Sequence, residues 1–214
     1  MAKFLQNFGA FDLWKMEQND LADFTTFVLR IYYEHHLQTP APIEEVEACI
    51  EEDQRLCSHT HFYALKTKDG NIFGTINACL WDGKEKLAIE REYDLDLKRL
   101  IETRGLNPPE VWHMGRFAID SKIINQNEAL RATQGLFFRL LMTLAFAHVS
   151  RLPDNLMIAE CDKKLQNILI KLGIFSEELS EEHFVLGSQA LPILNTGAGL
   201  HLFVEKHKHL LNHV

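Results

Sequence analysis

The sequence predicts an α+β protein, a sandwich of helices on a largely antiparallel sheet. Three observations carry this. Short apolar or alternating stretches recur between longer segments of helical period. Lys68-Asp69-Gly70-Asn71 is a hairpin turn joining two of those stretches. The segment from Leu136 to Val149 is apolar nearly all round, which marks a covered central helix. At 214 residues the length suits one domain, here residues 1–214, and no internal repeat or low-complexity linker divides it.

Each element follows in turn. Ala10 to Met16 reads as a first strand. From Asp20, residues Leu21, Phe24, Phe27, Val28, Ile31 and Tyr32 recur at helical spacing, and Thr39-Pro40-Ala41-Pro42 stops that helix. A second, glutamate-rich helix runs from about Ile43 to Leu56. His61 to Thr67 and Ile72 to Trp81 are the two hairpin strands. Residues 82–107 are polar and acidic, an insertion with a short helix near Leu95 to Thr103, ended by Pro108-Pro109. Glu110 to Asp120 is the next strand, and the long apolar helix after it ends near Arg151-Leu152-Pro153. Leu156 to Cys161 is a strand, and Asp162 caps a helix that Gly173 closes. Two further strands are expected near His183 to Leu186 and Leu200 to Glu205, separated by a loop with Pro192, Gly197 and Gly199. The end, from Glu205 to Val214, reads as solvated. The order is β α α β β, insertion, β α β α β β.

Composition narrows the function. Hydrophobic residues make up 46% and charged residues 24%, ordinary values for a globular chain. The net charge of −8 and the lack of a Lys/Arg run argue against nucleic acid as a partner. No apolar run reaches the roughly 18 residues of a membrane span, and Met1 to Phe11 lacks the apolar core of a secretory leader. A cytoplasmic chain is expected. Cys49, Cys57, Cys79 and Cys161 show no CxxC spacing and read as buried free thiols. His59 and His61 would share one strand face and could place two imidazoles on a zinc, but no third ligand follows at a recognisable spacing, so no metal is expected.

The most informative stretch is Trp112-His113-Met114-Gly115-Arg116-Phe117-Ala118-Ile119-Asp120, followed by Ala132-Thr133-Gln134-Gly135-Leu136-Phe137 at the head of the apolar helix. On alternating strand geometry His113, Gly115 and Phe117 share one face while Trp112, Met114 and Arg116 share the other, so His113 and Arg116 meet only if a bulge intervenes.

This stretch, in this element order, resembles the GNAT superfamily of acyl-CoA N-acyltransferases. Within it the chain is most similar to the branch of acyl-homoserine lactone (autoinducer) synthases and long-chain N-acyl amino acid synthases. Those enzymes carry Glu-x-x-Arg-Phe on this strand; here Arg116 and Phe117 match and His113 replaces the glutamate. Their Glu-x-Asp-x-x-Asp is echoed by Glu51-Glu52-Asp53-Gln54-Arg55-Leu56, which keeps the first two acids. Their Gly-x-x-Arg becomes Gly74-Thr75-Ile76-Asn77, without the arginine.

The resemblance implies a three-layer α/β/α sandwich and acyl transfer from acyl-CoA, or from acyl carrier protein, to a primary amine of a small metabolite or amino acid. A GNAT-shaped module that binds acyl-CoA without turnover is the alternative. A homodimer is allowed for, and no nucleic acid or membrane partner is expected. Such chemistry needs a base, a cradle for the donor and stabilisation of the oxyanion and leaving thiolate. His113 is the expected base, since imidazole titrates near neutral pH; the bland reading is a satisfied core histidine. Arg116 is either a surface ion pair or an anchor for an acceptor carboxylate. Glu92, with Glu90 and Asp94, is an alternative base or ammonium binder, or else part of a solvated acidic loop.

The superfamily implies a strand-like hold on the pantetheine by backbone at Phe117, Ala118 and Ile119. It also implies a phosphate cradle at Thr133, Gln134, Gly135 and Leu136, if the helix starts there. A rival start, with Asn125 and Glu128 as a capping box, would make Gly135 a close-packing position inside the helix. Cys161 and Asp162 follow the next strand, where the superfamily often places a proton donor for the thiolate.

Overall fold

A computed structural model gives the architecture, described for residues 1–211. The sheet strands are β1 (Lys3–Asn7), β2 (Phe11–Met16), β3 (Thr60–Thr67), β4 (Ile72–Leu80), β5 (Val111–Ile119), β6 (Leu156–Cys161), β7 (Glu177–Glu178), β8 (His183–Val185) and β9 (Ser188–Thr196). They lie in the spatial order β1-β2-β3-β4-β5-β6-β9-β7, with β8 paired to β9. Every pairing is antiparallel except β5 with β6, which runs parallel. A parallel pair needs a crossover, and the long helix supplies it.

Two helices, α1 (Leu21–His36) and α2 (Ile43–Arg55), cover one face. There Phe24, Val28 and Leu29 pack on Phe62 and Ala64 of β3. In the insertion, α3 (Ala88–Glu92) and α4 (Leu97–Thr103) bury Leu87, Ile89, Tyr93 and Leu97. Glu90 is not part of a solvated loop. It is buried, and its carboxylate accepts from the backbone N–H groups of Leu87 and Leu97.

The other face carries α6 (Glu128–Val149) and α8 (Gly197–His207). Between β5 and α6 stands a short helix, α5 (Ser121–Gln126), capped by Asp120. Phe137, Leu140, Leu141 and Leu144 of α6 pack on Leu13, Leu65, Phe73 and Ile76. Phe11, Phe73 and Phe137 meet edge to face at centroid separations of 5.0 to 5.8 Å, a geometry worth about 0.5–1.5 kcal/mol per pair beyond burial. By length and composition alone α6 could cross a membrane; in this fold its apolar surface packs against the sheet and α8. The remaining helix, α7 (Lys163–Lys171), follows β6.

The structure departs from the sequence reading at both ends. An extra strand, β1, precedes the expected first one. The expected loop around Pro192 is the buried strand β9, and the expected strand at 200–205 is the helix α8. Pro192 masked an apolar run, Ala190 to Leu194, of the kind a doubly covered strand shows. Leu200, Phe203, Val204 and His207 are buried at i, i+3, i+4, i+7, a helical period. That helix starts on a glycine, Gly197, where a Cβ would stand 2.0 Å from the Leu152 carbonyl oxygen, and the Thr196 side chain caps it by accepting from Gly199 N. The chain end is also less solvated than expected. Lys208–Leu211 forms a last turn, and Leu210 and Leu211 pack on the core; residues 212–214 lie outside the described part.

Candidate active site

β5 and β6 pair only from Val111↔Leu156 to Met114↔Ala159. Beyond that point the strands part. Residues 115–119 keep β4 as a partner, and Glu160 and Cys161 keep β9. A cavity of about 890 Å³ occupies this gap. Its walls come from both faces of the sheet, with Ile31, Tyr32 and Asp53 on the α1–α2 side and Phe138, Met142 and Phe146 of α6 on the other.

The expected bulge exists, and it sits at Arg116. The β4–β5 register slips between Thr75↔Ala118 and Asn77↔Gly115, so two β5 residues, Arg116 and Phe117, face Ile76. Arg116 has φ +52°, a left-handed conformation for a non-glycine residue. Such a conformation costs about 1–3 kcal/mol. Two bonds hold it. The Thr75 Oγ1 donates to the Arg116 carbonyl at 2.8 Å. The Arg116 side chain clamps Asp53, with Nε 3.1 Å from Oδ1 and Oδ2 and Nη2 3.0 Å from Oδ1.

The bulge inverts the faces expected from simple alternation. Trp112 and Met114 lie in the α6-side core, and Phe117 packs toward the same side, edge to face on Phe138. His113 and Arg116 are thereby brought onto one cavity.

His113 is paired. Its Nε2 lies 2.7 Å from Oε2 of Glu160 on the neighbouring strand. Burial, the largest influence, pushes the imidazole down, but the charge and hydrogen bond of Glu160 outweigh it and the net shift is upward. Glu160 responds in kind. Burial would raise it, yet the His113 charge and hydrogen bond leave it below the ordinary glutamate range. Sequence reasoning missed Glu160, because β5 and β6 lie 47 residues apart at this pair and only the parallel register joins them.

Arg116 is neither a surface ion pair nor a free anchor. The side chain is about 10% exposed, and its Nε and Nη2 bind Asp53 and Glu52. Asp53 in turn accepts from Thr25 Oγ1 at 2.6 Å. Glu52 also binds Arg91 and Arg55.

The remaining sequence candidates divide. Phe117, Ala118 and Ile119 line the cavity, as does the exposed Glu92; Asp94 is exposed outside it. Thr133, Gln134, Gly135 and Leu136 do not line it. The helix begins at Glu128, with the Asn127 side chain accepting from Leu130 N, so these residues stand inside α6 rather than at its start. The rival capping-box residue Asn125 lies in α5, and Asn127 is the cap. Gly135 is not a packing position either: it is exposed, and the nearest atom to a Cβ there would be Arg139 Nη1 at 3.7 Å. Asp162 caps α7 through Leu165 N at 2.6 Å. Burial, and then the charge of Asp162, push the Cys161 thiol up to about 12.

His59 is exposed in a turn before β3 and does not share a strand with His61. Among the described residues no group of three His, Cys, Asp or Glu could hold a metal ion.

No family model matches the sequence, and no curated protein matches it. Solved structures do match in fold. FeeM, an N-acyl amino acid synthase from uncultured soil microbes, aligns with a TM-score of 0.59 at 15% identity over 94% of each chain. TofI, in a complex with an inhibitor and MTA, aligns with a TM-score of 0.55 at 14% identity, over 94% of this chain and 96% of that one. An acetyltransferase of the GNAT family from Staphylococcus aureus aligns with a TM-score of 0.52 at 9% identity, over 87% of this chain and 98% of that one. These alignments show the fold: it is shared with FeeM, with TofI and with the GNAT-family acetyltransferase.

Proposed function

We propose that this protein is an N-acyltransferase, moving an acyl group from acyl-CoA or acyl carrier protein to a primary amine by direct attack. The observation that carries this is the His113–Glu160 pair standing on a cavity that opens where β5 and β6 separate.

Each step of such a reaction has a candidate group. The Nε2–H of His113 donates to Glu160, which fixes the tautomer and leaves the Nδ1 lone pair as base. Nδ1 takes a proton from the acceptor ammonium, and the free amine nitrogen bonds to the thioester carbon. Collapse of the tetrahedral adduct breaks the carbon–sulfur bond; the adduct nitrogen releases its second proton to solvent as the amide forms, and the His113 imidazolium returns a proton to the thiolate. The Cys161 thiol beside the gap stays protonated, but its raised pKa of about 12 makes it too weak an acid to protonate the leaving thiolate.

The backbone of Phe117, Ala118 and Ile119, without a strand partner on the β6 side, suits a strand-like hold on the donor's pantetheine arm. Glu92 on the rim suits attraction of an ammonium. Arg116 stays bound to Asp53 and shapes the bulge. The four free cysteines suit a reducing cytoplasm, the expected location.

The absence of a helix start at Gly135 favours the second reading, a module that binds a thioester without turnover. One experiment separates the two. Purified protein is mixed with acyl-CoA donors of several chain lengths and a panel of amines, and free thiol is followed. The proposal expects amine-dependent thiol release that His113→Ala lowers by about 10²–10⁴-fold. A donor-induced thermal shift without release supports the binding module, and neither response overturns both.

A further inference from the structure

Asn77 is a buried polar side chain on the cavity with no part in the reaction steps above. It lies on β4 opposite Gly115, is about 94% buried, and lines the cavity. Its Oδ1 is buried with no hydrogen-bond partner. A buried acceptor left unmade is costly, and native structures retain one where a ligand or water completes it.

Its position relative to the reacting groups is fixed by a glycine. A Cβ on Gly115 would stand 3.2 Å from Asn77 Oδ1 and 3.5 Å from His113 Cε1. Gly115 therefore keeps open a small space that the carboxamide of Asn77 and the imidazole of His113 both border.

Charge around the cavity points the same way. Seven carboxylate residues line it against four Lys or Arg residues. Three of those four are arginines already bound to carboxylates: Arg116 to Asp53 and Glu52, Arg91 to Glu52, and Arg55 to Glu52 and Glu85. The fourth, Lys164, stands at the start of α7. The space beside His113 thus offers hydrogen-bond acceptors and no free guanidinium for a carboxylate.

We infer that Asn77 receives the nucleophilic nitrogen of the acyl acceptor, its Oδ1 taking an N–H from that nitrogen while His113 takes the proton, and that the acceptor is an amine without a carboxylate beside the nitrogen. This rests on the N-acyltransferase reading and narrows its acceptor. An alkyl amine, aralkyl amine or diamine would gain from the acidic lining, whereas an amino acid would bring an anion into a space bounded by Glu160 and Glu52.

The test uses the full chain and acceptors matched except for the carboxylate: tyrosine with tyramine, phenylalanine with phenethylamine, leucine with isoamylamine. Thiol release is measured with one acyl-CoA at saturation. The expected result is kcat/KM about tenfold or more higher for each amine than for its amino acid. Asn77→Leu should raise KM for the amine about tenfold or more while leaving KM for the donor unchanged. Asn77→Asp, which keeps the acceptor oxygen and adds charge, should hold the amine as well as wild type; thermal melts report that each variant is folded. A preference for the amino acids, or an Asn77→Leu variant whose amine KM does not move, overturns the inference while the acyltransferase reading stands. If the wild type releases no thiol with any acceptor, the acyltransferase reading falls and this inference with it.

Discussion

The Nε2 of His113 lies 2.7 Å from Oε2 of Glu160 across the parallel β5–β6 pair, at the point where those strands stop pairing. A carboxylate thus meets His113 from the neighbouring strand. With the net His113 shift upward, the neutral, basic imidazole prevails only above its ordinary pKa of about 6.5. The pH profile of kcat/KM should therefore rise through an apparent pKa above that value. Glu160→Gln removes the charge that outweighs burial, so the rising limb should move below about 6.5 and the rate should fall. An unshifted limb in this variant would show that another group titrates.

Arg116 and Asp53 form a buried clamp whose loss leaves one charge unpaired. Breaking such a pair on one side typically costs about 3–5 kcal/mol. Asp53→Asn should lower the chemical-denaturation stability by roughly that amount, and it should also free the left-handed conformation at Arg116. A loss well under 1 kcal/mol, measured by urea unfolding, would mean that water reaches the guanidinium and that the bulge is held by Thr75 alone.

Gly135 lies exposed inside α6 with room for a methyl group. Gly135→Ala should stabilise the protein by about 1 kcal/mol, the helix-propensity difference, and should leave the donor KM unchanged. A variant that folds well but loses donor affinity would restore a phosphate role to this segment.

His148 sits on α6 in a buried stack with His61, Tyr63 and Trp112, its Nε2 2.9 Å from the Tyr63 hydroxyl and its Nδ1 without a partner. Burial, then the positive groups His61, Arg151 and Lys15, depress its pKa to about 3. The unfolded chain takes up this proton near pH 6.5 and the folded chain only near 3. Stability from this site is therefore complete above about pH 6.5 and lost progressively as pH falls toward 3. Thermal melts from pH 7 to 4 should show a smaller acid-induced drop in Tm for His148→Gln than for the wild type. Parallel slopes would assign the acid sensitivity to other groups.

The middle of the chain was legible where local chemistry and periodicity agree. The helix ends at Thr39-Pro40, the hairpin at Asp69-Gly70 and the Asp162 cap all followed from residues close in sequence. The later elements were not, for physical reasons. Pro192 argues against a strand, yet β9 accommodates it between β6 and β7, and its carbonyl accepts from Leu179 N. The four-residue period of α8 was hidden in a segment short enough to pass for a strand. At the site, His113 and Arg116 were visible because they stand in one strand. Their partners Glu160 and Asp53, and the nearby Asn77, come from three other elements, and only the sheet register and the packing of α2 bring them to the same space.

Thiol release from acyl-CoA in the presence of amine, compared between wild type and His113→Ala, bears most directly on the role assigned to the β5–β6 gap. The proposed mechanism predicts amine-dependent release that falls by about 10²–10⁴-fold in the variant while donor binding, read as a thermal shift, is retained. Equal release by both proteins would contradict it.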